Sequence, residues 1–145
     1  MTDNPWIPLF ITNPNFIQAQ SPELNAEHFL QKATKAIDSA RNEITYGETI
    51  SELLLANDGL KECHRSLATI GVWHFECAVE LFEKAIRNFE RAKKQGLSRS
   101  EQKEADAQIK DCQKQLAAAS KQKDSAEELL DSIRNYKGEN NEKSI

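Results

Sequence analysis

The sequence predicts an all-α protein: a helical bundle built on one long antiparallel hairpin. Three observations lead to that class. From Phe75 to Ala92 the small and aromatic residues fall at Phe75, Ala78, Phe82, Ala85, Phe89 and Ala92, in alternating steps of three and four, which is the spacing of one helix face. Further on, Ala105, Ile109, Cys112, Leu116 and Ala119 repeat the rhythm. Between the two runs, Gly96 suits a helix C-terminal cap, and Ser98 with Glu101 three residues on has the form of a capping box. Helices joined by so short a turn lie antiparallel. Pivoting on that turn sets Phe89 against Ala105, Ala85 against Ile109, Phe82 against Cys112, Ala78 against Leu116 and Phe75 against Ala119. Large meets small at nearly every level, as interdigitating layers require.

The elements follow in order. Residues 1–20 form an extended arm, because Pro5, Pro8 and Pro14 forbid a regular helix. Its large apolar residues, Trp6, Ile7, Leu9, Phe10, Ile11, Phe16 and Ile17, set it apart from a solvated tail. Such an arm packs along its own bundle or docks on a partner or a second copy, with Trp6, Leu9, Phe10 and Phe16 as candidate anchors. Ser21-Pro22-Glu23 starts the first helix. The stripe Ala26, Phe29, Leu30, Ala33, Ile37, Ala40 and Ile44 carries that helix from about 22 to 46, with an end expected near Gly47. A short second helix with Ile50, Leu53, Leu54 and Leu55 then stops at the turn-forming Asn57-Asp58-Gly59.

The first hairpin helix runs from about 60 to 94. Gly71 inside it marks a close helix crossing or a break, and the crossing is the favoured reading. Val72, Val79 and Ile86 form a second stripe beside the first, so a further helix must cover the hairpin. The second hairpin helix runs from about 99 to 136. Lys123 interrupts its seam at the level of Gly71 and is expected to snorkel to the bundle edge. The domain is thus 21–137, followed by a polar tail at 138–145 expected to be disordered.

Composition limits function. The chain has 145 residues, enough for one cored domain. Its net charge of −4 argues against a general nucleic-acid or anionic-membrane binder. Residues 1–60 hold three bases and eight acids. That excess reads as a solvated helix face, an acidic docking surface being the other reading. No stretch approaches the roughly 20 apolar residues that span a bilayer. Three cysteines without CxxC spacing, and a start without a basic leader region, point to a soluble, reduced, cytoplasmic protein.

FECAVELFEKAI at 75–86 resembles the second helix of a tetratricopeptide repeat, with Phe75, Ala78, Phe82 and Ala85 at that family's packing positions. FLQKATKAI at 29–37 echoes part of it, but no 34-residue period recurs. Residues 75–120 are also similar to the second and third helices of microtubule-interacting-and-transport domains. Either resemblance implies a scaffold that receives a partner helix or peptide in a groove.

Candidate chemistry is sparse. His74 and Cys77 share a helix face, and a metal- or ligand-holding bundle around them is one alternative function. A pair supplies too few ligands, so no metal or other cofactor is expected. Cys112 lies in the seam, where burial keeps a thiol protonated. No Gly-rich phosphate loop or presented nucleophile occurs, so no enzyme is predicted. Arg87, Arg91, Lys94 and Arg99 cluster about the hairpin turn, either capping helix carbonyls or binding an acidic partner. Trp73 is expected to contact the first helix, the other reading being an exposed hot spot. The function expected is therefore a non-catalytic protein–protein interaction module, an adaptor, chaperone-like or regulatory bundle, binding a helix or peptide of another protein or a second copy. A structural coiled-coil oligomer is the remaining alternative.

Overall fold

The computed structural model describes residues 22–56 and 62–143, with side chains for 24–56 and 64–135. Three helices account for nearly all of them: α1 Pro22–Leu55, α2 Glu62–Lys93 and α3 Arg99–Lys143. The fold is the all-α bundle that the periodicity predicts. Both α1 and α3 pack extensively along α2, whereas they scarcely meet each other. The arm at 1–20, the cap at Ser21 and the turn at Asn57-Asp58-Gly59 lie outside the described residues.

The hairpin of α2 and α3 forms as its spacing requires. Phe75, Ala78, Phe82, Ala85, Phe89 and Ala92 are all buried, as are Ala105, Ile109, Cys112 and Ala119. At the turn, the Ser98 N–H donates to Glu101 Oε1 at 3.0 Å and the Glu101 N–H donates to Ser98 Oγ at 3.2 Å, the reciprocal bonds of a capping box. The Ser98 backbone N–H first, and its side chain second, hold the Glu101 carboxyl below the ordinary carboxylate range. That contribution is present above the ordinary range and is lost as pH falls through the lowered value. Among the described residues two ion pairs cross the hairpin, Lys93 with Asp106 and Glu76 with Lys123. Residue numbers fall along α2 by as much as they rise along α3, so both pairs share one antiparallel register, in which Lys123 meets Glu76 rather than the level of Gly71 expected from the sequence. Lys123 snorkels as expected, its Nζ lying 3.9 Å from Glu76 and 3.8 Å from Glu127.

The second stripe of α2 is covered by α1. Ala33, Ala36, Ile37 and Ala40 share one core cluster with the α2–α3 seam, and Val79 and Ile86 pack against it. Toward the far end, Leu54, Ala68, Leu130 and Ile133 make a second cluster with Ile50 and Val72 at its edge.

Two expectations about α1 are corrected. The helix does not end near Gly47 and restart at Ile50; it runs unbroken to Leu55. Gly47 sits on the buried stripe, and its missing side chain makes room for the Phe75 ring. A Cβ there would lie 2.7 Å from Phe75 Cζ and within 2.9 Å of two further ring carbons. Gly71 likewise stays helical, and it marks the favoured crossing, though against α1 rather than at Lys123: a Cβ would lie 3.1 Å from Ile50 Cγ2. At the other terminus α3 continues to Lys143, past the end expected near 136. Gly138 lowers helix propensity by only about 1 kcal/mol, and no proline follows it to force a stop.

The two glycines should therefore respond differently to alanine. In Gly47→Ala the new methyl meets a fully buried ring, and overpacking of about 1–3 kcal/mol outweighs the gain of up to about 1 kcal/mol in helix propensity. In Gly71→Ala it meets one branch of a half-buried side chain, and the two effects nearly cancel. Urea melts should give a clearly lower midpoint for Gly47→Ala and a near-native one for Gly71→Ala. In the same assay Phe82→Ala should lose about 3–5 kcal/mol and Glu83→Ala no more than about 0.5 kcal/mol.

Candidate functional site

Along one edge of the α1–α2 interface, α2 presents Ile70, Trp73 and His74, and α1 presents Glu43 and Tyr46. Steps of three put Ile70 beside Trp73, and Glu43 beside Tyr46, on their helix faces. The core stripe of α2 passes through Phe75 and Ala78, which turns Trp73 outward. His74 lies between these two orientations, and its side chain is only 17% exposed. Its Nδ1 pairs with the Glu43 carboxylate across the interface. Two aromatic rings lean on the imidazole: Tyr46 at 5.3 Å and Trp73 at 5.0 Å between centroids, both tilted. Trp73 is 53% exposed and Tyr46 57%, and Ile70 beside them is 46% exposed. Trp73 is thus not covered by α1, the contact favoured from sequence; its neighbour His74 makes that contact instead.

A second feature lies across α1. Over the buried Phe75 and Ala126, the last turns of α1 and the middle of α3 stand apart and leave a groove of about 510 Å3. Glu48, Ser51, Glu52 and Leu55 form one wall; Lys121, Gln122, Ser125 and Leu129 form the other. Sequence reasoning did not find it. Its single-chain signal is the pair Glu48 and Glu52, like charges one turn apart, which weaken a helix slightly unless something offsets them.

The remaining candidate residues do not converge on one site. Cys77 lies a turn from His74, but among the described residues no group of three or more His, Cys, Asp or Glu is placed to hold a metal ion. Burial first, then the carboxylates of Glu43, Glu80 and Glu76, push the Cys77 thiol above its ordinary range. Burial does the same to Cys112, with Asp111 adding to it. Neither thiol is activated as a nucleophile. The basic residues have dispersed local settings. Arg91 lies over the Phe29 ring, with its guanidinium carbon 6.0 Å from the ring centroid. Arg87 flanks a shallow cleft with Glu43, Cys77 and Glu80. Lys94 closes the end of α2 through its backbone N–H, which donates to the Arg91 carbonyl at 3.2 Å, and Arg99 opens α3. Trp6, Leu9, Phe10 and Phe16 lie outside the described residues. No helix among the described residues is long and apolar enough to cross a membrane.

No protein-family model, no curated protein and no solved structure matches the chain.

These surroundings give a direct expectation for thiol chemistry and metals. With Cys63 replaced by Ser, alkylation at neutral pH should proceed slowly at Cys77 and reach Cys112 only on unfolding, as read by intact-protein mass against time. Chelator treatment should leave helical circular dichroism and Tm unchanged. A fall in Tm reversed by added zinc would make His74 and Cys77 ligands.

Proposed function

We propose that this chain is a non-catalytic protein–protein interaction module, a cytoplasmic adaptor or regulatory bundle that works without a cofactor. The observation that carries this reading is the exposed patch of Tyr46, Trp73 and Ile70 around the half-buried His74. Tryptophan and tyrosine dominate interface hot spots because they offer large rigid apolar area with a polar handle. Here the hydrogen bond between His74 and Glu43 fixes the ring on which both aromatic side chains lean. Less side-chain freedom is then lost on binding, which favours affinity. Full burial of one such side chain contributes roughly 1.5–3 kcal/mol, so the two anchors supply part of a binding free energy that must also offset an association cost of at least about 4 kcal/mol. The fitting partner is a helix or peptide segment of another protein, or a second copy, bringing one large apolar side chain to the patch. Nucleic acid and membrane are not part of the proposal.

The test uses Trp73→Ala and Tyr46→Ala. Because both residues are more than half exposed, each variant should keep its helical content and lose less than about 1 kcal/mol in urea. Binding to the partner captured by wild-type protein should fall at least about tenfold, the equivalent of 1.4 kcal/mol. Light scattering over a concentration series separates a foreign partner from self-association. Wild-type affinity and mass in both variants would defeat the reading.

A further inference from the structure

We propose that the groove over Phe75 is a second docking site, and that its occupant is an amphipathic helix of another protein with one basic edge and an acidic residue on the opposite edge. The site is distinct from the aromatic patch. At about 100° per residue, Glu48 and Glu52 point roughly 200–240° away from Tyr46 around α1, so the two surfaces lie on opposite edges of that helix.

Architecture gives the occupant its shape. Both α1 and α3 run antiparallel to α2 and so lie parallel to each other, but they hardly touch. Arg41 Nε donates to Gln115 Oε1 at 3.5 Å where they come together, short of the groove. Beyond that point α1 and α3 leave Phe75 and Ala126 as the floor of an open channel. A helix laid there would take the fourth position of a four-helix bundle. The walls, Glu48 to Leu55 and Lys121 to Leu129, extend about 10–12 Å at 1.5 Å per residue, or two helical turns. That length accepts apolar side chains at positions i, i+3 or i+4, and i+7. Leu55, on the rim, is 73% exposed and supplies apolar surface for them.

Charge gives the occupant its sequence. Glu48 and Glu52 have no ion-pair partner among the described residues, and neither does Lys121 on the facing wall. The channel thus has an acidic bank on α1 facing a single unpaired lysine, Lys121, on α3. A guest helix with Lys or Arg along the α1 side and one Glu or Asp set against Lys121 would satisfy both. The same pattern sets its direction, because a helix inserted the other way would bring like charges together.

The test measures fluorescence anisotropy with synthetic helical peptides of about 18 residues, five turns. One carries a leucine stripe with lysine on one edge and glutamate on the other; a second reverses only the lysine edge to glutamate. The first should bind wild-type protein saturably and more weakly as salt rises. Glu48→Lys with Glu52→Lys should bind it about 3–10-fold more weakly, the size expected of two exposed ion pairs, and should bind the second peptide better than wild type does. Ser125→Tyr, which fills the channel from an exposed position, should weaken the first peptide at least about tenfold while leaving the Tm unchanged. Trp73→Ala should bind it like wild type, so failure here and failure of the aromatic patch are read separately. Equal affinity for the two peptides, or no effect of the Glu48/Glu52 double change, would overturn the proposal. So would binding that appears only after deletion of residues 1–18, which would assign the channel to the chain's own arm. A change of solution mass in the Glu48/Glu52 variant would assign it to a second copy.

Discussion

The packing of the Phe75 ring into the space left by Gly47 is the constraint on which the arrangement of all three helices rests. Phe75 belongs to the face that α2 turns toward α3, yet its ring also touches α1, so one side chain sets two interhelical distances at once. Any side chain at 47 would push α1 off the ring, and any smaller residue at 75 would leave a cavity where the helices meet. The alanines extend the same logic along the bundle. Ala33 and Ala40 on α1, Ala78 and Ala85 on α2, and Ala105 and Ala119 on α3 are essentially fully buried. Their small side chains let aromatic rings from α2 reach both neighbours. The core therefore sets the rings of α2 among alanines and aliphatic side chains of the two outer helices.

That economy leaves the outer surfaces of α1 and α2 free of any packing requirement. Nothing in the packing requires a tryptophan at position 73 or a tyrosine at 46; smaller polar residues would hold the helices as well. What packing does supply is the buried side of the patch. Phe75 and Ala78 anchor the stripe beside it, and His74 bridges to Glu43 on the neighbouring helix. The exposed rings thus stand on a two-helix platform rather than on one helix alone.

Much of this was legible in the sequence, and the misses have physical reasons. The three-four alternation in α2 and α3 identified every buried position named from Phe75 to Ala119 except Leu116, which is half-buried at the edge of the seam. The capping box at Ser98 and Glu101 placed the turn. Gly47 was misread because a glycine that ends a helix and a glycine that admits a neighbouring ring look alike in one chain; both need the missing Cβ. The discriminating signal was present, since Ala33, Ile37, Ala40, Ile44, Gly47, Ser51 and Leu54 continue the same alternation through the glycine. Trp73 sits next to Val72 of the second stripe, but adjacent residues on a helix point about 100° apart. Val72 reaches the packed edge while Trp73 points to solvent. The groove could not be read from any single stripe, because it exists only where two helices diverge over a third.

The separation of α1 from α3 has a consequence for how the chain opens and closes. The bundle is two hairpins that share α2, and each hairpin joins segments adjacent in sequence. Such local topology carries low contact order, which goes with rapid folding. It also permits sub-global opening: α3 can lift from α2 while the α1–α2 pair keeps the Gly47 contact, and α1 can lift while the α2–α3 seam remains. Amide exchange would then report two cooperative units with α2 common to both, and α2 would hold its protons longest. The central helix is where the molecule keeps its stability, and the two outer helices are where it can yield.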